Sequence, residues 1–439
     1  MKKDYSVFKK RRQELLQTIK AKHPDASNGV VVLFGSFEHE RVRFHQESSF
    51  YYLTGIEEPG AALVIDWNNK STLFIPQSVN RAQWLLSFVH ATPESAAAHN
   101  VDAIKYLGDV CKTYSFSPLF NVAEYTNMLN LLQEQVAAQG AVFTFNSSSQ
   151  SDYVEQKLVL ARVITMVPGL EKVVQDISPV VASMRRKKTK AEIELMYKAV
   201  EITMVAQEAA ARVIEDNKRE RDIQAGIEYV FAESGASVAF PSIVASGKNS
   251  TVLHYNQNNT TMRNGDLVVV DIGAEFDYYC ADLTRTYPVS GTFTKRQKEI
   301  YNLVLQTQEY IADLAKPGMW LNNKEQPEKS LHHLAKSFLD KKGYGKYFPH
   351  GIGHFLGLDV HDVGNTLEPL QEGDVITIEP GIYIPEEKIG VRIEDNYWII
   401  KDGNVCLSQP LPKDAKTIEE MVQQEIEDED YDDEDEDFN

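Results

Sequence analysis

The stretch Gly265-Asp-Leu-Val-Val-Val-Asp-Ile-Gly-Ala-Glu-Phe-Asp-Tyr-Tyr-Cys-Ala-Asp-Leu-Thr-Arg-Thr-Tyr287 decides how this chain is read. Two apolar-rich runs flank its centre, and a two-residue turn at Phe276-Asp277 would pair them as a hairpin with Asp271 directly opposite Asp282. Both carboxylates would then point to one face, with β-carbons about 5 Å apart, where opposed like charges destabilise. At that separation they repel by roughly 3 kcal/mol if the effective dielectric constant is near 20. A shared proton or bound cations must offset this. Asp277 suits the turn and Phe276 does not, and a one-residue slip would send the two carboxylates to opposite faces.

Further candidates lie downstream. The segment His350-Gly-Ile-Gly-His-Phe-Leu-Gly-Leu-Asp-Val-His-Asp362 packs three histidines around three glycines, in a chain with eleven histidines in all. A lone histidine is more often structural, but the glycines here allow close backbone approach and shift the balance toward a site. In Asp374-Val-Ile-Thr-Ile-Glu-Pro-Gly-Ile-Tyr383, strand alternation puts Val375, Thr377 and Glu379 on one face before Pro380-Gly381 turns the chain. The same alternation in Ile389-Gly-Val-Arg-Ile-Glu-Asp395 places Arg392 and Glu394 together.

Any one of these acids alone reads as half of a surface ion pair of little worth. Together, Asp271, Asp282, His354, Glu379 and Glu394 are four carboxylates and one imidazole, an oxygen-dominated set suited to two divalent ions and unsuited to a structural thiolate zinc site. Paired ions of this kind sit ~3.5 to 4 Å apart and activate a shared water near neutral pH. That is hydrolase chemistry.

Bulk properties narrow the class. At 439 residues and 43% hydrophobic content the chain can bury a large core in two domains. Its longest apolar runs fall far short of the ~18 residues of a membrane span, and its first residues lack the apolar stretch of a secretory signal, so a cytoplasmic protein is expected. Cys111, Cys280 and Cys406 are odd in number and widely spaced, and read as small buried apolar residues rather than a disulfide framework. The net charge is −19, but eleven of the residues 425–439 are acidic and none is basic. Without them the balance is −8, since −19 + 11 = −8. That block reads as a solvated, disordered tail, with docking to a basic partner the lesser reading. Overall acidity argues against nucleic acid as the main substrate.

Along the chain, an amphipathic helix over residues 5–22 is followed by strand-like runs at 30–34, 62–65 and 72–75, then by alternating helices and strands to about 167. An α/β domain over 1–170 is expected, then a linker over 171–189. The basic run Met184-Arg-Arg-Lys-Lys-Thr189 reads as solvated linker rather than as a nuclear signal. A long helix begins at Lys190, and others are expected at 295–315, with Thr294 and Gln297 as a capping box, and at 328–342, with Gly343 as the stop. Residues 190–415 form an α+β catalytic domain in this reading, with the acidic tail at 425–439.

At the quoted motifs the sequence resembles the metallopeptidase family of aminopeptidase P, prolidase and methionine aminopeptidase, whose catalytic domain has the pita-bread fold. The run from His350 to Asp362 fits the proline-peptidase signature, and Asp271, Asp282, Glu379 and Glu394 fall at the family's other ligand positions. Upstream, Arg43-Phe-His-Gln-Glu-Ser-Ser-Phe-Tyr-Tyr-Leu-Thr-Gly55 looks like the N-terminal domain of aminopeptidase P and prolidase. The likeness spans about nine-tenths of the chain and leaves the acidic tail outside.

The resemblance implies a division of labour. Asp271 would bind one ion through both oxygens, Asp282 and Glu394 would bridge, and His354 and Glu379 would complete the other shell, with Glu379 also taking the proton of the bridging water. His254, in Val-Leu-His-Tyr-Asn, and His361 would line the pocket and take part in catalysis, His361 by stabilising the developing oxyanion. His350, Arg392 and Tyr383 would hold substrate or orient ligands. The expected activity is that of an Xaa-Pro aminopeptidase using two Mn²⁺ ions, acting on peptides as a homo-oligomer, dimer or tetramer. Prolidase, which cleaves Xaa-Pro dipeptides, is the nearest rival. A catalytically inactive binding module and a creatinase-like enzyme are the others, and the intact ligand set argues against both.

Overall fold

The computed structural model describes residues 3–38, 43–78, 89–111, 122–147 and 153–423, and the chain divides into two compact units, Met1–Arg185 and Arg186–Asn439. The acidic block at 425–439 lies outside the described residues.

The first unit is built on a six-stranded mixed sheet. Its order is Ala103–Tyr106, Ser71–Ile75, Ala62–Asp66, Gly29–Phe34, Ala141–Thr144, Val174–Asp176. Gly29–Phe34 is central because its apolar run has no polar face to expose: all six residues are buried, antiparallel to Ala62–Asp66 and parallel to Ala141–Thr144. Helices Thr126–Ala137 and Val154–Met166 lend Met128, Leu129, Leu132, Val159 and Val163 to the core on this sheet. The Glu47 carboxylate caps helix Ser48–Thr54 by accepting from the amides of Ser49 and Phe50, and Gly55 at φ 65° ends it.

The expected linker at 171–189 is not one. It holds the edge strand Val174–Asp176 and the helix Ser178–Arg186. Nor is its basic run solvated, since Arg185, Arg186 and Lys188 are buried. In the second unit, Arg186 donates to both oxygens of Asp374 at 2.8 Å and stacks over Phe355. Lys188 donates to Asp362 at 2.8 Å, both side chains being 1% exposed. Carboxylates remote in sequence neutralise the run, a pairing that composition does not reveal.

Among the described residues, the second unit places four short antiparallel sheets among five helices: Lys190–Val213, Glu220–Glu233, Lys295–Leu314, Leu331–Lys341 and Ala415–Gln423. Capping boxes at Thr189/Glu192 and Thr294/Gln297 start two of them. The last helix carries the unit beyond the expected limit of 415, because Ile418 and Met421 bury their side chains. One sheet has the order Leu283–Pro288, Leu267–Ile272, Ile243–Ser246, and another Val375–Ile378, Asp395–Ile400, Gly403–Cys406. The third is the hairpin of Gly381–Ile384 with Ile389–Arg392, and the fourth has the order Tyr279–Cys280, Ala274–Phe276, Ser237–Val238. An isolated bridge between Thr284 and Glu394 joins the first sheet to the segment between the third and the second. No described helix is long and apolar enough to cross a membrane.

Candidate metal centre

The hairpin register differs from the expected one. Asp271 is opposite Thr284, and Phe276 pairs with Tyr279, so the turn is Asp277-Tyr278 rather than Phe276-Asp277. Both turn residues have positive φ, 48° and 73°, as a two-residue type I′ loop requires. Tyrosine is an unusual occupant of that conformation, which is why the sequence pointed one residue earlier. Moving the turn by one residue shifts the pairing by two positions and so preserves the alternation. Asp282 consequently lies diagonally across from Asp271 on the same face.

Other segments complete the cluster. Asn396 brackets Asp282 by accepting from its amide at 3.2 Å and donating to its carbonyl at 2.6 Å. The Glu394 amide donates to the Thr284 carbonyl, and the Thr284 hydroxyl donates to Glu394 Oε2 at 2.7 Å. His354 sits where residues 352–354 run beside the end of strand Val375–Ile378: Thr377 N donates to His354 O and Glu379 N to Ile352 O, each at 2.9 Å. Gly353 is required there, since a β-carbon would lie 2.0 Å from the Thr377 carbonyl oxygen.

The donor set fits divalent cations. Asp282, His354 and Glu394 each offer a ligand atom, all within 4.8 Å of one another. His354 Nε2 lies 3.4 Å from Asp282 Oδ2 and 3.7 Å from Glu379 Oε1. Its Nδ1 bonds the Phe355 carbonyl at 3.0 Å, which fixes the proton there and leaves the Nε2 lone pair facing the carboxylates. Asp271 Oδ1 and Asp282 Oδ1 are buried with no hydrogen-bond partner, a costly arrangement unless something positive is to be held.

Electrostatics agree. Burial, then the charges of Asp271 and Glu379, pushes the Asp282 carboxyl well above the usual range. Burial, then Asp282 and Glu379, does the same to Glu394. Glu379 is raised by burial against the opposing pull of His354 and Arg392. The buried cation Arg392 is committed elsewhere: Nη2 donates to Asp271 Oδ2 at 2.6 Å, Nη1 to the Tyr383 hydroxyl at 2.9 Å and Nε to Thr284 Oγ1 at 3.2 Å. His350 Nε2 bonds the Tyr383 hydroxyl at 2.9 Å while Nδ1 donates to the Gly351 carbonyl at 2.8 Å. Burial and the nearby Arg392 bring His350 down to about 3. Partial desolvation, helped by His354 and His254, brings His361 down to about 4, and the His361 and His354 rings are 4.2 Å apart.

All ten residues named from sequence as ligand, catalytic or pocket positions line one cavity of about 720 Å³: His254, Asp271, Asp282, His350, His354, His361, Glu379, Tyr383, Arg392 and Glu394. Thr284 and Asn396, which hydrogen-bond Glu394 and Asp282, were not foreseen. A threonine inside a strand and an asparagine after an acidic pair carry no signal until the long-range partners are known. Four carboxylates, one imidazole with its free nitrogen turned inward and three further histidines lining the same cavity fit a metallohydrolase centre rather than a structural ion site.

Comparison with known proteins gives the family. Residues 194–401 match the profile of Metallopeptidase family M24, and residues 8–123 that of the aminopeptidase P N-terminal domain. The chain is 31% identical to the Xaa-Pro aminopeptidase of Haemophilus influenzae, over 90% of this chain and 93% of that protein. It is 33% identical to the Xaa-Pro dipeptidase of Pyrococcus furiosus, over 83% and 92% respectively. A solved structure of Escherichia coli aminopeptidase P in complex with substrate superposes with a TM-score of 0.80 at 27% identity, covering 96% of this chain and 99% of that one. The chain belongs to the M24 metallopeptidases of the aminopeptidase P type, with the pita-bread catalytic fold behind an aminopeptidase P N-terminal domain.

Proposed function

We propose that the protein is an Xaa-Pro aminopeptidase, removing the N-terminal residue from peptides with proline at the second position. Asp271, Asp282, His354, Glu379 and Glu394 would hold two divalent ions, with Mn²⁺ the metal we assign. When bound, such a pair of ions lowers the pKa of a shared water toward neutrality and polarises the scissile carbonyl.

The chain's own groups supply the rest. Glu379, its carboxyl raised by burial, accepts the proton of the attacking water and passes it to the leaving nitrogen. That transfer matters here because an Xaa-Pro bond is a tertiary amide whose nitrogen carries no hydrogen. His361, kept neutral by its lowered value, and His254 both reach into the cavity and act on the carbonyl side as hydrogen-bond donors. His350 has both ring nitrogens engaged and shapes the pocket wall through Tyr383. Arg392 neutralises and aims Asp271.

The observation that carries the choice of aminopeptidase over dipeptidase is the absence of a spare cation. Among the described residues lining the cavity Arg392 is the sole arginine or lysine, and its three donor groups already serve Asp271, Tyr383 and Thr284. A dipeptidase must hold the proline carboxylate beside the scissile bond, whereas a peptide continuing past proline brings no charge there. With Mn²⁺ bound, an Xaa-Pro-Yaa tripeptide should be cleaved and the matching Xaa-Pro dipeptide left largely intact, read by release of the first amino acid. Cleavage of the dipeptide alone would make the protein a prolidase; cleavage of neither would make it a binding module. A cytoplasmic setting and a homo-oligomer, dimer or tetramer, complete the reading.

A further inference from the structure

The segment that carries His254 has little regular structure of its own. Residues 252–260 belong to no helix or strand, His254 and Asn256 are exposed, and both line the cavity. His254 makes no hydrogen bond among the described residues, so its neighbours decide where its ring lies.

Most of that decision rests on one carboxylate outside the cavity. Glu220 opens helix Glu220–Glu233 and is 0% exposed. Its Oε1 accepts from the Ser246 amide and hydroxyl, both at 2.8 Å, and from Asn249 Nδ2 at 3.1 Å. Its Oε2 accepts from the Tyr255 hydroxyl and the Thr260 amide, both at 2.8 Å. Ser246 and Asn249 precede the segment, Tyr255 directly follows His254, and Thr260 ends the segment. One side chain therefore ties both limbs of the turn and the residue beside the histidine. No lysine or arginine pairs with Glu220 among the described residues; the five donors and the N-terminal end of its own helix support its charge. Buried Asn258, at φ 47°, adds a second clasp by accepting from the Val244 amide and donating to the Ser242 carbonyl.

Five donors converging on two oxygens require a carboxylate. A glutamine of the same shape would turn an N–H₂ against the backbone amide of Ser246 or of Thr260, neither of which has a lone pair to offer. We propose that Glu220 is a positioning residue for this enzyme: it fixes His254 against the bound peptide, although it touches neither the cavity nor the ligand cluster. The proposal rests on the aminopeptidase reading above.

A double-mutant cycle tests it. With Mn²⁺ bound and an Xaa-Pro-Yaa tripeptide as substrate, Glu220→Gln should lower kcat/KM by up to about 10²-fold, mainly through KM, with metal content unchanged. In a His254→Ala background the same substitution should change kcat/KM by less than about two-fold, because the residue it acts through is gone. Additive losses, or wild-type kinetics in Glu220→Gln, would overturn the proposal. If Glu220→Gln does not fold, Tyr255→Phe removes one of the five donors and must show the same sign and the same non-additivity. Amide hydrogen exchange over residues 253–259 gives an arm independent of catalysis: faster exchange in Glu220→Gln or Tyr255→Phe supports the clasp, and unchanged exchange removes it. A wild-type protein inactive on the tripeptide sinks the aminopeptidase reading instead, and the exchange measurement still judges the clasp.

Discussion

Glu394 and Asp395 are adjacent, both buried, and in opposite electrostatic states. Asp395 accepts from Arg285 Nη2 and Ser408 Oγ at 2.7 Å, Gln308 Nε2 at 2.6 Å and Lys413 Nζ at 3.2 Å. Burial alone would raise its carboxyl, but Arg285 and Lys413 hold it well below the ordinary carboxylate range. Glu394 receives one hydroxyl, from Thr284, and sits among other acids that drive it up. Backbone alternation sends the two side chains to different sides, so a single step along the chain separates a carboxylate with counter-charges of its own from one set among other acids. Asp395 draws its counter-charge from Arg285 and Lys413, whereas Glu394 faces Asp282, Glu379 and Asp271.

The sharpest way to break this comparison is at the ligand side. Asp282→Ala should abolish both turnover and metal binding while the fold persists, because it removes a repulsive charge; normal activity with full metal content would remove Asp282 from the centre. On the structural side, Asp395→Ala should destabilise the protein by about 3 to 5 kcal/mol in urea unfolding, because it strands the fully buried Arg285. The molecules that remain folded should retain their metal. A loss below about 1 kcal/mol would mean that Asp395 is not the finished half of the contrast.

A smaller effect comes from acid. His350 has its folded value down at about 3, below its ordinary value. As pH falls below about 6.5 the unfolded chain takes up a proton that the folded chain refuses, so stability declines toward low pH and is unaffected above that point. At pH 5 this group accounts for up to about 2 kcal/mol, at about 1.4 kcal/mol per pH unit. His350→Asn should reduce the acid-induced loss between pH 7 and pH 5 by that amount in metal-free protein, and an unchanged pH profile would show that His350 is charged in the folded state.

The legible part of this molecule was its local chemistry. Carboxylates in strands, histidines among glycines, and the Thr294/Gln297 cap are short-range patterns, and the structure gathers the candidate ligands into one cavity. What the sequence concealed was long-range or sterically atypical. The turn at Asp277-Tyr278 uses a tyrosine where asparagine or glycine is usual. The basic run at 185–188 looked like solvated linker because Asp374 and Asp362 stand some 180 positions away along the chain. Glu220 carries no signal in the sequence, because its five donors come together only when the segment from Ser246 to Thr260 folds over it.

Gly353 carries a consequence of its own. The imidazole of His354 is a lever whose fulcrum is the contact between residue 353 and the Thr377 carbonyl, and that contact has no slack for even a methyl group. Selection at this position therefore acts on an atom's absence. The route by which such a centre could be retuned for other metals or substrates runs through the cavity wall near residue 254, not through the backbone beneath His354.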